Sequence, residues 1–368
     1  MSTQTQEPVY AKLTLIIIGL LAFFYVLYIG QDIIVPLIYA TVFAILLNPA
    51  VNYLSGKGVG RVLSIFLVLT MAFLLTAGLI YFLSAQLSIF SETFPQIKLR
   101  FLQLFQEGLH WVSNTFNIRT SKLNAWLAQM QEQGMSNSTT VIGQTLSTIG
   151  SIFVIVFLMP VYIFMILFYK PLLLDFISQL FSNDKHDTVV EVLTETKTLI
   201  QSYLVGLLLE AGIVAALNST ALLILGIQYA VLLGIVGALL NLIPYVGGLV
   251  AIALPMLIAL ATEEPIYILF VFGAYILVQL IDNNFIVPRI VASKVKINAL
   301  VSIVVVLIGG ALWGIAGMFL SIPLTAIIKV IFDRIDSLKP FGFLLGDTMP
   351  PIGKNMFRLK KTGARKKV

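Results

Sequence analysis

The chain has 368 residues, of which 59% are hydrophobic and only 11% charged, and its mean hydropathy is +0.99. Soluble domains give about a quarter of their residues to charge, so this balance excludes a water-soluble globular protein and reads as an integral membrane protein. The net charge of +6 does not point to nucleic acid, because the basic residues gather at one end, and the lack of cysteine removes disulfides, thiolate metal sites and cysteine nucleophiles.

Residues 1–12 are short and polar, without the positive region and small-residue cleavage site of a signal peptide, and are expected on the cytoplasmic side. Spans are predicted at 13–29 and 33–54, joined by a tight turn at Gly30, Gln31 and Asp32. Pro36 falls in the first turn of the second span, and Asn48 with Pro49 is expected to bend its far end. Lys57 and Arg61 follow in a Gly-rich turn, then a third span at 62–84, which completes a scaffold over 13–84.

From 85 to 147 the composition turns mixed, and Phe101, Leu104, Phe105, Leu109 and Val112 recur at helical spacing. An extracytoplasmic amphipathic helical layer is predicted there, either resting at the headgroups or serving as a lid or oligomer contact. A fourth span at 149–169 is expected to kink at Pro160, and 172–202 reads as a cytoplasmic helix. The fifth span, 203–225, opens a transport core over 203–333 and carries Glu210, an acidic residue that is costly in hydrocarbon unless paired, hydrated or protonated. It reads either as a proton or cation carrier or as one half of a structural pair.

Residues 226–260 are too apolar for water and too broken for one rod, with Asn241, Pro244, Gly247 and Gly248 at the centre. A re-entrant helical hairpin is predicted, its tip the first candidate for a binding site, because irregular backbone at membrane depth must be buried in protein or face a cavity. Tyr245 would hydrogen-bond a solute or anchor that tip. A sixth span at 265–281 follows, and then Asp282, Asn283 and Asn284, whose oxygens suit sodium or a polyol and equally suit capping of the span's end. A second broken stretch, 297–332, is interrupted by Gly309, Gly310, Gly314 and Gly317, with Pro323 beyond. These are its candidate hinge residues.

The predicted class is therefore an all-α polytopic membrane protein, with about six full spans and two broken hairpins. Each hairpin follows one ordinary span, which suggests a repeated unit. If both are re-entrant, the turn with Glu263 and Glu264 lies outside and the turn with Arg289, Lys294 and Lys296 inside, in accord with the positive-inside rule. The repeat would then be inverted, with both termini cytoplasmic. The basic tail, 334–368, suits anionic lipid headgroups or a solvated topology signal. Of the two histidines, neither belongs to a metal pattern, and no P-loop, GxSxG or HExxH is present, so no enzyme activity, metal or cofactor is expected.

VPLIYATVFAILLNP at 35–49, Tyr203 with Gly206, NLIPYVGG at 241–248, QLIDNNFIVP at 279–288 and GGALWGIAGMFLSIP at 309–323 resemble, in order and spacing, successive signatures of the autoinducer-2 exporter family of bacterial membrane proteins. Ile297, Asn298 and Ala299 stand where a His-Pro pair is common in that family. The resemblance implies an inner-membrane transporter and a homo-oligomer, in the form of a pentamer; the expected mechanism is alternating access, the two broken hairpins moving against the scaffold of early spans. The cargo it implies is either autoinducer-2 or sodium or lithium exchanged for protons. A channel or a membrane scaffold is the contrasting expectation. On the residues themselves, Glu210, Asn241, Pro244, Tyr245, Gly247, Gly248, Gln279, Asp282, Asn283 and Asn284 are the candidates for binding a solute or ion.

Overall fold

A computed structural model describes residues 9–116, 157–181, 186–243, 247–292 and 296–348, and these are helical apart from short connections. Helices α1 (Val9–Ile29) and α2 (Gln31–Gly56) are joined by Gly30 alone. Because α2 starts at Gln31, Pro36 falls in its second turn and not its first. The apolar side chains of α1 are exposed on every side, from Leu13 and Ile16 to Phe23 and Tyr25. A helix that is apolar all round is stable against lipid and not against water.

Helix α3 (Arg61–Phe116) runs for 56 residues, about 84 Å, straight through the change in composition after Ser84. Its backbone hydrogen bonds are internal, so the helix persists whether lipid or water surrounds it. The outer part of the predicted amphipathic layer, 117–147, lies outside the described residues. Helices α4 (Phe157–Phe168) and α5 (Lys170–Gln179) meet at a 62° bend. That bend sits at Tyr169, just before Pro171, where the fourth span is expected to end; the stretch before Phe157, on which a kink at Pro160 would show, lies outside the described residues. The Arg61 guanidinium donates to the Leu167 carbonyl at 2.8 Å, covering an acceptor that the break leaves open.

Helix α6 (His186–Ile224) joins the predicted cytoplasmic helix and fifth span into one element of 39 residues. Helices α7 (Ala230–Asn241) and α8 (Gly247–Thr262) then form the first hairpin. A β-carbon on Gly247 would collide with the Leu240 carbonyl, and one on Gly237 would lie 3.7 Å from the Ala251 methyl. The two pairings share nearly the same centre, between positions 243 and 244, so the arms run antiparallel. Their core, with Leu233, Ala251, Ile258 and Val271, also takes in Leu222 of α6.

Helix α9 (Tyr267–Ile281) does not end at Asp282, as capping would require. It continues as two π-helical turns, Asp282–Ile286 and Pro288–Ala292. Pro288 has no N–H to donate to the carbonyl four residues back, and the Val287 N–H reaches the Asp282 carbonyl five back, which widens the turn. Gly206 lets α6 approach this segment: its β-carbon position is 2.7 Å from the Ile290 carbonyl oxygen.

Helix α10 (Ala299–Arg334) folds back on itself, with Trp313 at φ −134° and Gly314 at φ +60°, ψ −141°. β-carbons on Gly309 and Gly317 would each strike the other's carbonyl, although eight residues of straight helix would separate them by about 12 Å. Trp313 Nε1 donates to the Leu27 carbonyl at 3.0 Å, and the Tyr39 hydroxyl donates to the Ala316 carbonyl at 3.1 Å, so this reversal is held by α1 and α2. Asn298 caps α10 by accepting from the Val301 N–H and also donates to the Leu344 and Gly346 carbonyls, tying in α11 (Lys339–Leu345).

By length and composition five described helices suffice to cross a membrane: α2, α3 over Arg61–Phe90, α6, α9 with its continuation over Tyr267–Val291, and α10; the bent α4–α5 pair makes a sixth. The reversal at Trp313 and Gly314 nevertheless divides α10 into two arms, 299–312 and 315–334.

Candidate functional site

A cavity of about 710 Å³ opens where α6, the tip of the first hairpin, α9 with its first π turn, and both arms of α10 converge. Glu210 comes from α6, Asn241 and Gly248 from the hairpin, Gln279 from α9 and Asp282 and Asn283 from the π turn. Ile297, Ser302 and Ile322 close the side formed by the second hairpin. Among the described residues that line it there is no Lys, Arg or His. Two carboxyl groups and several amides therefore give the cavity an oxygen-rich wall that suits a neutral or cationic guest.

Helical spacing explains the convergence. Tyr203, Leu207, Glu210, Val214 and Asn218 recur at intervals of three and four along α6, and all are buried. Tyr275, Gln279 and Asp282 repeat the pattern on α9. The π turn keeps Asp282 inside, at 2% exposure. Its Oδ2 accepts from Asn241 Nδ2 at 3.0 Å, while Oδ1 has no partner among the described residues. Gln279 Nε2 donates to Asn283 Oδ1 at 3.2 Å, one turn on.

Six of the ten predicted binding residues thus share this cavity: Glu210, Asn241, Gly248, Gln279, Asp282 and Asn283. Gly247 opens α8 against the Leu240 carbonyl and is not among the lining residues, and Asn284 is exposed, its amide donating to the Leu280 carbonyl. Pro244 and Tyr245 lie outside the described residues. Gly309, Gly310, Gly314 and Gly317 build the reversal of the second hairpin and do not line the cavity, and Pro323 is buried in its second arm. Asn218 and Tyr275 were not among the candidates, yet both are buried at the closed end of the site. Their signal is positional: Asn218 stands eight residues after Glu210, and Tyr275 four before Gln279.

Comparison with known proteins adds an independent line. A family model described as AI-2E family transporter matches residues 16–337. The chain is 27% identical over 324 residues to the AI-2 transport protein TqsA of Escherichia coli (strain K12), covering 86% of this chain and 90% of that protein. It is 25% identical over 313 residues to YueF of Bacillus subtilis (strain 168), covering 82% and 83%, and 26% identical over 332 residues to YhhT of Escherichia coli (strain K12), covering 87% and 90%. The names of YueF and YhhT assign transport only provisionally.

Proposed function

The chain belongs to the AI-2E transporter family, and on that premise we propose that it is a carrier for a small, neutral, oxygen-rich solute, working by alternating access in a bacterial inner membrane. The observation that carries this reading is the meeting of both hairpins with two spans around one cavity whose described lining holds no basic residue. Its volume falls within the roughly 300–1,000 Å³ of small-molecule sites and far exceeds a bare ion. Amides and carboxylates there offer the hydrogen bonds that a hydroxylated solute needs. The compound in TqsA's name, AI-2, is the first to test.

Helix length supports this mechanism. The arms of the first hairpin have 12 and 16 residues, about 18 and 24 Å, short of a hydrocarbon core of roughly 30 Å. Both hairpins are re-entrant in this reading, entering from opposite faces as an inverted repeat, with the termini cytoplasmic. Rocking of the hairpins against α1–α3 exposes the cavity to each side in turn, and the assembly is a homo-oligomer. Export runs from the cytoplasm outward.

The test is efflux from proteoliposomes loaded with AI-2, compared with protein-free vesicles. Saturable, protein-dependent efflux that falls in Asn241→Ala is expected. Efflux equal to that of empty vesicles for AI-2 and for other small polyols would sink the carrier reading, and unitary currents in a planar bilayer would replace it with a channel.

A further inference from the structure

Around the break between α4 and α5, donors and positive charges gather without a matching acceptor. Lys170, the first residue of α5, is partly buried, and its Nζ donates to Asn48 Oδ1 of α2 at 3.0 Å. The other end of that amide, Nδ2, is buried with no hydrogen-bond partner among the described residues, and Asn48 is only 5% exposed. The bond from Lys170 fixes which way the amide faces, so Nδ2 remains a donor in want of an acceptor. Arg61, at the start of α3, reaches the same break by donating to the Leu167 carbonyl, and most of its five N–H groups are left for another partner. Lys197 of α6 brings a third charge, which with that of Arg61 acts on Lys170.

No counter-charge answers these three among the described residues, since none of the salt bridges there includes Arg61, Lys170 or Lys197. Asp175 of α5 accepts from Gln179, and Glu191 and Glu195 of α6 are held by Arg334. Gathered like charges repel, and a buried N–H without an acceptor keeps its desolvation cost, so one anion that accepts from several donors relieves both. A phosphate group has the charge and the oxygens to do so. The first turn of α5 favours it further, holding no acidic residue and no side-chain cap. What surrounds the cluster is apolar: α5 leaves α4 at 62° and exposes Leu172 and Phe176, as a helix lying in the headgroup plane does. Val62 and Phe66 of α3 and Phe168 of α4 are exposed beside it, a surface for acyl chains.

We propose that this break binds the phosphate of an anionic membrane lipid, held by Arg61, Lys170, Lys197 and Asn48 Nδ2, with the acyl chains laid on the apolar faces of α3 and α4. None of the four residues lines the solute cavity, so the site is independent of the carrier reading. The four come from α2, α3, α5 and α6, and the bound lipid ties the helix that carries Glu210 to the early helices of the chain.

The experiment is thermal unfolding of the purified full chain in neutral detergent, with phosphatidylglycerol titrated against phosphatidylcholine of the same acyl chains and, separately, with inorganic phosphate at fixed ionic strength. A saturable rise in Tm with phosphatidylglycerol alone is expected. Lys170→Gln and Arg61→Gln should each raise the half-saturating lipid fraction about tenfold, the effect of losing one charge-assisted hydrogen bond. Asn48→Asp keeps an acceptor for Lys170 but sets a carboxylate against the phosphate, and should abolish the rise. Should Asn48→Asp fail to fold, Lys197→Gln, at an exposed position, decides by weakening the lipid response in a folded chain. An equal rise with both lipids would reduce the face to apolar contact, and the same rise with inorganic phosphate would make it a site for a free anion. A phosphatidylglycerol effect unchanged in all the variants would place the lipid elsewhere, as on the basic tail. Each of these three results would overturn the proposal.

Discussion

Asn241 Nδ2 donates to Asp282 Oδ2 across 3.0 Å, linking the tip of the first hairpin to a π-helical turn 41 positions later in the chain. The bond joins an element too short to span a membrane to one long enough to cross it. Removing the amide leaves Asp282 buried with neither oxygen satisfied, since Oδ1 has no partner among the described residues. Asn241→Ala should therefore cost about 1–3 kcal/mol of stability, read as a drop in Tm, and reduce solute flux at least tenfold. Asn241→Asp should be worse than Ala near neutral pH, because it sets a second carboxylate against the first. Equal behaviour of the two variants would show that charge at this contact is irrelevant.

The reversal of α10 turns on Gly314, whose φ of +60° and ψ of −141° an L side chain adopts only with strain. Gly314→Ala is expected to lose about 1–3 kcal/mol. Gly273, in the body of α9, has no atom within 4 Å of its β-carbon position and supplies the contrast. Gly273→Ala should be neutral or stabilising by about 0.5–1 kcal/mol, as in any unstrained helix interior. The measurement is Tm in detergent, and the opposite sign of the two changes is the discriminating result.

Much of this architecture is legible in the residues, for reasons that particular positions make plain. The centre of 226–260 announces a reversal because Asn241, Pro244 and two glycines interrupt an otherwise apolar run, and the glycines of 309–317 do the same. Glu210 and Asp282 are conspicuous because charge is rare in hydrocarbon. Asn218 and Tyr275 are not, since an amide near a span's end and a tyrosine in an apolar helix are ordinary. Only packing shows that their stripes face each other. The π turn also escapes, because an Asp-Asn-Asn run before a basic turn reads as a cap until the Val287 N–H is seen bonding five residues back. The boundary at Ser84 reflects solvent and not backbone, so α3 passes it unbroken.

Arg334, in the last turn of α10, places its two terminal nitrogens 2.7 Å from Glu191 Oε1 and 2.8 Å from Glu195 Oε2, one turn apart on α6. The fork ties the end of the second hairpin to the extension of α6 beyond the apolar span. All three side chains are exposed enough for salt to screen them. Arg334→Gln should lower Tm in dilute buffer, and the difference from wild type should vanish toward 1 M salt, where the screening length is about 3 Å. Arg334→Glu combined with Glu191→Arg and Glu195→Arg should recover part of the loss. A deficit in Arg334→Gln that persists at high salt would instead assign it to packing of the arginine stem.

Membrane topology follows from placing four single cysteines in a chain that has none of its own. Gln228 and Glu264 flank the first hairpin and Lys296 and Asp336 the second, and all four are exposed. A stretch that returns on itself leaves its two flanks on one face, whereas a single broken crossing leaves them on opposite faces. Between 264 and 296 runs one long apolar helix, Tyr267–Val291, about 37 Å at helical rise, so these two must differ. Impermeant maleimide on intact cells should label Gln228→Cys and Glu264→Cys, and should reach Lys296→Cys and Asp336→Cys only after permeabilisation. The acidic pair Glu263 and Glu264 and the basic pair Arg289 and Lys296 set that direction. Labelling of 228 and 264 from opposite sides would convert the first hairpin into a kinked span and remove the inverted arrangement on which the carrier mechanism depends.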